Sequence, residues 1–162
     1  MAIEAPISKF KRNGLILWMV VCIAVAIIFA YDGYLSKYEW SLRRSFYEKH
    51  TNEDGTPDST LVFNRKSPPF FFGGGLLLGA YWFVIRNKKL IADETVLVFS
   101  DKDKIAYDSI QQIDKTYFKK KGRFVITYKD EKGREVDRKI SDRTYDNLEP
   151  ILDHLVAELK KT

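Results

Sequence analysis

Residues 14–31, GLILWMVVCIAVAIIFAY, decide how this chain is to be read. The stretch contains no charged residue. At ~1.5 Å rise per residue, about 20 apolar residues cross a hydrocarbon core roughly 30 Å thick. A run of such uniform apolarity is out of place as the buried helix of a 162-residue chain. Lys9, Lys11 and Arg12 precede it, so a secretory signal with Ala24-Val25-Ala26 at its cleavage site is the competing reading. Against that, the run continues through Ile27, Ile28 and Phe29. Val20 and Val21 also stand where a lipoprotein signal ending at Cys22 needs small residues. The expectation is an uncleaved transmembrane helix over 14–31, preceded by an N-terminal tail over 1–13.

Further along, residues 69–85 read PFFFGGGLLLGAYWFVI, with Arg86, Lys88 and Lys89 directly after them. Glycine inside a helix costs up to ~1 kcal/mol relative to alanine. In lipid an unpaired backbone group is costlier still, so the segment is expected to be a second transmembrane helix. Small residues recur at four-residue steps in both segments: Cys22, Ala26 and Ala30 in the first, Gly75 and Gly79 in the second. Such stripes let backbones approach closely. They fit packing of the two helices within one chain first, with a homo-oligomer or a docking seam for another membrane protein as the alternative.

The loop over 32–68 carries six Lys+Arg and six Asp+Glu. Its basic residues nearly match those flanking the helices on the other side. The tight Arg86-Asn87-Lys88-Lys89 cluster favours both termini in the cytoplasm. Tyr34, Leu35, Tyr38, Leu42 and Phe46 recur at three- and four-residue steps, which predicts an amphipathic helix. Tyr31, Tyr34, Tyr38 and Trp40 suit the headgroup layer, so this helix is expected at the outer interface. TNEDGTPDST then reads as an exposed turn-rich loop. Asp32 and Glu39 are read as a solvated polar face rather than a carboxylate pair.

From 86 to 162 the pattern changes to short strands. Strands are expected around Val96–Phe99, in KIAY, and in SIQQIDKTYF with a bulge between Ile110 and Ile113. Two more follow in RFVITYKD and REVDRKIS. DEKGR supplies the turn of the last hairpin, with Gly133 free to take positive φ. Leu148, Ile151, Leu152, Leu155, Val156 and Leu159 form one apolar stripe of a closing helix over 146–161. Pro150 is acceptable there only in the first turn. His154 is expected at the surface.

The stretch VLVFSDKDKIAYDSIQQIDK, residues 96–115, resembles the bacterial pleckstrin-homology-like domain. It shares that family's strand, polar turn, short strand ending in an aromatic, and isoleucine-paced strand. The resemblance covers residues from about 90 to 160. It implies a partly open antiparallel β-barrel capped by the C-terminal helix, often on a two-helix membrane anchor. It also implies a binding role whose ligand varies across the family. The fold class expected is thus a membrane protein of α+β type in a bacterial inner membrane.

Lys115, Lys119, Lys120, Lys121 and Arg123 form the densest basic cluster. Near a membrane surface, each basic residue is worth about 1 kcal/mol of attraction to anionic lipid. The same residues also read as a solvated hairpin tip. The net charge of +5 is diffuse and lies beside apolar segments, so nucleic acid is not an expected partner. Cys22 is the only cysteine, so no intrachain disulfide can form. With His50 and His154 on different segments, neither a zinc site nor a Ser-His-Asp arrangement is expected. No cofactor and no enzymatic activity are expected. The expected role is a membrane-anchored binding or assembly module, or an accessory subunit of a membrane complex. The alternative is an anionic-lipid sensor.

Overall fold

The computed structural model describes residues 2–160. The protein is α+β, with two long apolar helices and two antiparallel sheets. It divides into two compact units. One comprises the chain up to Asn13 together with everything from Phe83 on, and the other runs from Gly14 to Trp82.

The first unit is the β-domain. Its four-stranded sheet has the order β1 (Ile3–Pro6), β2 (Lys89–Ala92), β3 (Val96–Ser100), β4 (Asp103–Ala106). Its three-stranded sheet runs β5 (Ile110–Asp114), β6 (Arg123–Lys129), β7 (Glu135–Ser141). Alternation sends Leu97, Phe99, Ile105, Phe124, Ile126 and Ile140 into one core. The closing helix, labelled α6 by its place in the chain (Leu148–Leu159), covers that core with Leu148, Ile151, Leu152 and Leu155. Pro150 lies in its first turn, and the register of β5 shifts between Ile110 and Gln112. Gly133 turns the β6–β7 hairpin at φ +74°. His154 is half-buried, its Nε2 3.4 Å from the Asp93 carbonyl.

The strand at the N-terminus departs from the expected tail. Its residues pair with β2 in antiparallel register, Ile3 against Ala92 and Pro6 against Lys89. Ala5 is fully buried in the core. Pro6 is tolerated because β1 is an edge strand. Bonds from the chain after β7 then fix the first turn of α1 (Lys9–Ala30). Ser8 N–H donates to the Thr144 carbonyl at 2.9 Å, and Lys9 N–H donates to Asp146 Oδ2 at 3.0 Å. The Ser8 hydroxyl accepts from Lys11 N–H at 3.1 Å and donates to the Arg143 carbonyl at 2.6 Å. Several of the orphan donors of that helix end are thereby satisfied.

The second unit holds most of α1 and of α4 (Pro68–Ile85), joined by α2 (Arg44–Lys49) and α3 (Ser59–Lys66). Both long helices are apolar and long enough to cross a membrane, and most of their apolar surface is exposed. The single amphipathic helix expected over the loop does not form. Tyr31–Leu35 is a π-helical turn, residues 36–43 are turns, and only Arg44–Lys49 is α-helical. Side-chain bonds to nearby groups compete with the helix here. The Ser36 hydroxyl donates to the Asp32 carbonyl, and Arg43 Nη2 reaches Asp32 Oδ2 at 2.7 Å. Asp32, expected on a solvated face, is buried in that ion pair.

Residues 51–58 form the expected turn-rich loop, and the last two residues of that stretch, Ser59 and Thr60, enter α3 because Asp58 caps that helix, accepting from Leu61 N–H at 2.9 Å. Asp58 also pairs with His50 Nδ1 at 2.8 Å. The Leu61 N–H and then His50 hold the Asp58 carboxyl below the usual carboxylate range.

Candidate functional site

The basic cluster is built by the connection between β5 and β6. Asp114 Oδ1 accepts from Thr116 N–H at 2.9 Å and closes an Asx turn. The Thr116 hydroxyl and N–H hold the Asp114 carboxyl below its ordinary value. A single helical turn, α5 (Phe118–Lys121), follows and ends at Gly122 with φ +57°. Phe118 anchors it edge-on to the core ring of Phe124, with centroids 5.9 Å apart. Lys119, Lys120 and Lys121 are left exposed. KKKG is therefore a short helical turn within the exposed connection of the β5–β6 hairpin.

A cleft of about 880 Å³ lies between this connection and the start of α6. Lys115, Lys119 and Lys120 line it together with Asp142, Glu149 and Asp153. A neighbouring cleft of about 690 Å³ adds Phe10 from the first turn of α1, Lys121, Arg143 and Asp146. Arg123 lines neither cleft. Its guanidinium carbon sits 5.1 Å from the centre of the Tyr117 ring, and Lys121 Nζ lies 5.2 Å from the same ring. Four of the five basic residues are thus gathered along a mixed-charge groove. Among the described residues, ion pairs of the domain include Lys89 with Glu4, Arg134 with Asp130, and Arg138 with Asp103.

Phe10, Asp142, Arg143, Asp146 and Asn147 are not among the residues that the sequence singles out. They lie far along the chain from the lysines, and no local pattern joins them. The one available signal is the alternation of Ile3, Ala5 and Ile7, which places the start of the chain in the sheet. Asn147 stands at φ +56° with no side-chain cap on α6.

The small-residue stripes meet each other. A Cβ on Gly75 would lie 3.2 Å from Ile23 Cγ1 and 3.5 Å from Cys22 Cβ. On Gly79 it would lie 3.2 Å from the Met19 sulfur. Ala26 is buried, and Ala26 and Ala30 share an apolar niche of about 290 Å³ with Pro68, Pro69 and Phe72. Gly73 and Gly74 have open space where a Cβ would go.

Among the described residues, no three His, Cys, Asp or Glu side chains gather as metal ligands. No protein-family model, no curated protein and no solved structure matches this chain.

Proposed function

We propose that this protein is a non-catalytic, membrane-anchored binding or assembly module, with α1 and α4 spanning the bilayer and the β-domain in the cytoplasm. The pairing of β1 with β2 carries the reading. One strand directly precedes α1 and the other directly follows α4, so the chain must leave the sheet and return to it. Two crossings of a bilayer achieve this, and one does not. The exposed surface of both helices is apolar, with Leu17, Phe70 and Leu77 each more than 60% exposed. In water such surface is a large liability, whereas in lipid it is solvated. Cleavage near Ala26 would remove β1 and its core residue Ala5, which favours retention of the first helix.

The β-domain is read as pleckstrin-homology-like. A four-stranded antiparallel sheet, a three-stranded meander and a closing helix support that reading, and a binding role comes with it. A membrane protein or a second copy of the chain is the proposed partner, engaged through the mixed-charge groove or the helices. The inner membrane of a bacterium is the proposed location, with Arg86, Lys88 and Lys89 on the cytoplasmic side.

One observation favours a second reading, contact with anionic lipid. Lys119, Lys120, Lys121 and Arg143 line the same cleft as Phe10, in the first turn of the proposed membrane helix. The test uses the full chain in lipid nanodiscs, since a fragment from residue 88 on would lack β1. Lysine acetylation rates are compared in neutral and anionic nanodiscs. Protection of Lys119–Lys121 by anionic lipid supports the lipid reading. Equal rates remove it and leave the protein partner, which mild extraction and identification of co-purifying proteins then address. Release of the intact chain by alkaline carbonate would defeat both.

A further inference from the structure

Between the π-helical turn and α2, residues 37–43 form no regular element and contribute one buried residue, Ser41. Two contacts fix the height of this segment. The Ser41 hydroxyl donates to the Tyr31 hydroxyl at 3.2 Å, and Arg43 reaches Asp32 at 2.7 Å. Tyr31 closes the apolar run and Asp32 directly follows it. The chain has therefore folded back to the level where that run ends. The guanidinium of Arg44 bonds the Lys37 carbonyl and closes the loop.

At this level large apolar side chains stand exposed beside the charged Lys37, Glu39 and Arg43. Trp40 is 67% exposed and Leu42 is 95% exposed, on either side of the buried Ser41. The Tyr38 and Trp40 rings stack 5.6 Å apart at an interplanar angle of 9°. Lys37 Nζ lies 5.0 Å from the centre of the Tyr38 ring, so cation and aromatic pair sit together. A stacked Tyr–Trp pair with a bare leucine beside it gains nothing in water. In the headgroup layer the rings keep a polar edge wet while their faces and the leucine meet acyl chains. Glu39, exposed and between the two in sequence, limits the depth, because an ionised carboxylate does not enter hydrocarbon.

We infer that Tyr38, Trp40 and Leu42 form an interfacial wedge inserted into the headgroup layer of the leaflet in which α1 ends. The wedge rests on the reading of α1 as a membrane-spanning helix. Its pinning to Tyr31 and Asp32 makes it a depth stop, since sliding α1 along the bilayer normal would drag the aromatic pair into water or Glu39 into hydrocarbon.

The test uses two single-tryptophan forms of the full chain, which has three tryptophans. In one, Trp18→Phe and Trp82→Phe leave Trp40. In the other, Trp40→Phe and Trp82→Phe leave Trp18. Each is reconstituted into phosphatidylcholine vesicles carrying bromine near the ester end or near the methyl end of the acyl chains. Trp40 is expected to lose roughly half its emission to shallow bromine and far less to deep bromine, as for an interfacial ring. If Trp18 is quenched and Trp40 is not, the wedge is wrong and the spanning helix stands. If neither is quenched, both are wrong. Should the Trp40 form misfold, Leu42→Trp with all three tryptophans changed to Phe probes the same surface: shallow quenching supports the wedge, and its absence overturns it.

Discussion

Gly122 and Gly133 look alike in sequence, each a glycine after charged residues, and both take positive φ. Their surroundings separate them. Nothing lies within 4 Å of a Cβ on Gly133, whereas on Gly122 it would fall 1.8 Å from Asp142 Oδ2. Gly133→Ala is expected to destabilise the β-domain by roughly 1 kcal/mol, from backbone strain alone. Gly122→Ala should cost at least about 1 kcal/mol more, because Asp142 must also move. Thermal unfolding of both variants in detergent checks the order, and equal midpoints would refute it. Gly133 is legible from its turn sequence. Asp142 is not, because its place against Gly122 is set by the β6–β7 register.

Tyr107 makes a pH prediction at the same scale. Burial, then Glu158 and Asp93, push its phenol up to about 12 from 10.0. A raised pKa means the folded state holds the proton more tightly. Its contribution is therefore complete below pH 10 and is lost as pH rises towards about 12. Tyr107→Phe should remove that alkaline component of the stability curve. It also removes the 2.7 Å hydrogen bond to the Asp93 carbonyl, at about 1 kcal/mol near neutral pH.

At the scale of elements, hydrophobic period is a good guide where packing and local pattern agree. The closing helix, β6, β7 and the bulged β5 all follow from it. That guide fails where a long-range partner decides. Ile3–Pro6 becomes a strand only because Lys89–Ala92 offers an edge to it. Residues 34–46 have helical spacing, yet hydrogen bonds from Ser36, Ser41 and Arg43 to Tyr31 and Asp32, just after α1, hold most of them in turns. Gly33 shows the same influence, since a Cβ there would lie 2.7 Å from the Asn64 carbonyl oxygen on α3.

The contact between α1 and α4 yields a paired test. Gly75→Leu is expected to destabilise the hairpin by about 1–3 kcal/mol through overpacking against Cys22 and Ile23. Gly73→Leu points into open space and should stay within about 0.5 kcal/mol. Heat-induced aggregation in detergent reads both. Similar losses for the two would show that the glycine stripe is not the contact.

For the whole molecule, the expectation that matters most is that β1 and β2 stay together. Removing residues 2–7 deletes Ala5 from the core and strips β2 of its edge partner. That chain is expected to be cut within the β-domain by trypsin at concentrations the full chain resists. Unchanged resistance would mean that β1 is dispensable. Two apolar segments and a strand-rich end are plain in the sequence, but not that the first residues belong to that end. Composition along a chain cannot reveal a pairing between its two extremes.

The same pairing has a consequence for synthesis. Ile3 leaves the ribosome long before Ala92, its partner, and everything inserted between them must be threaded first. If the helices span a bilayer as proposed, a molecule whose second hydrophobic segment failed to cross would hold the two edges in different compartments, and its sheet would remain incomplete. On the membrane-spanning reading proposed above, the closed β1–β2 edge would thus report that both segments had crossed.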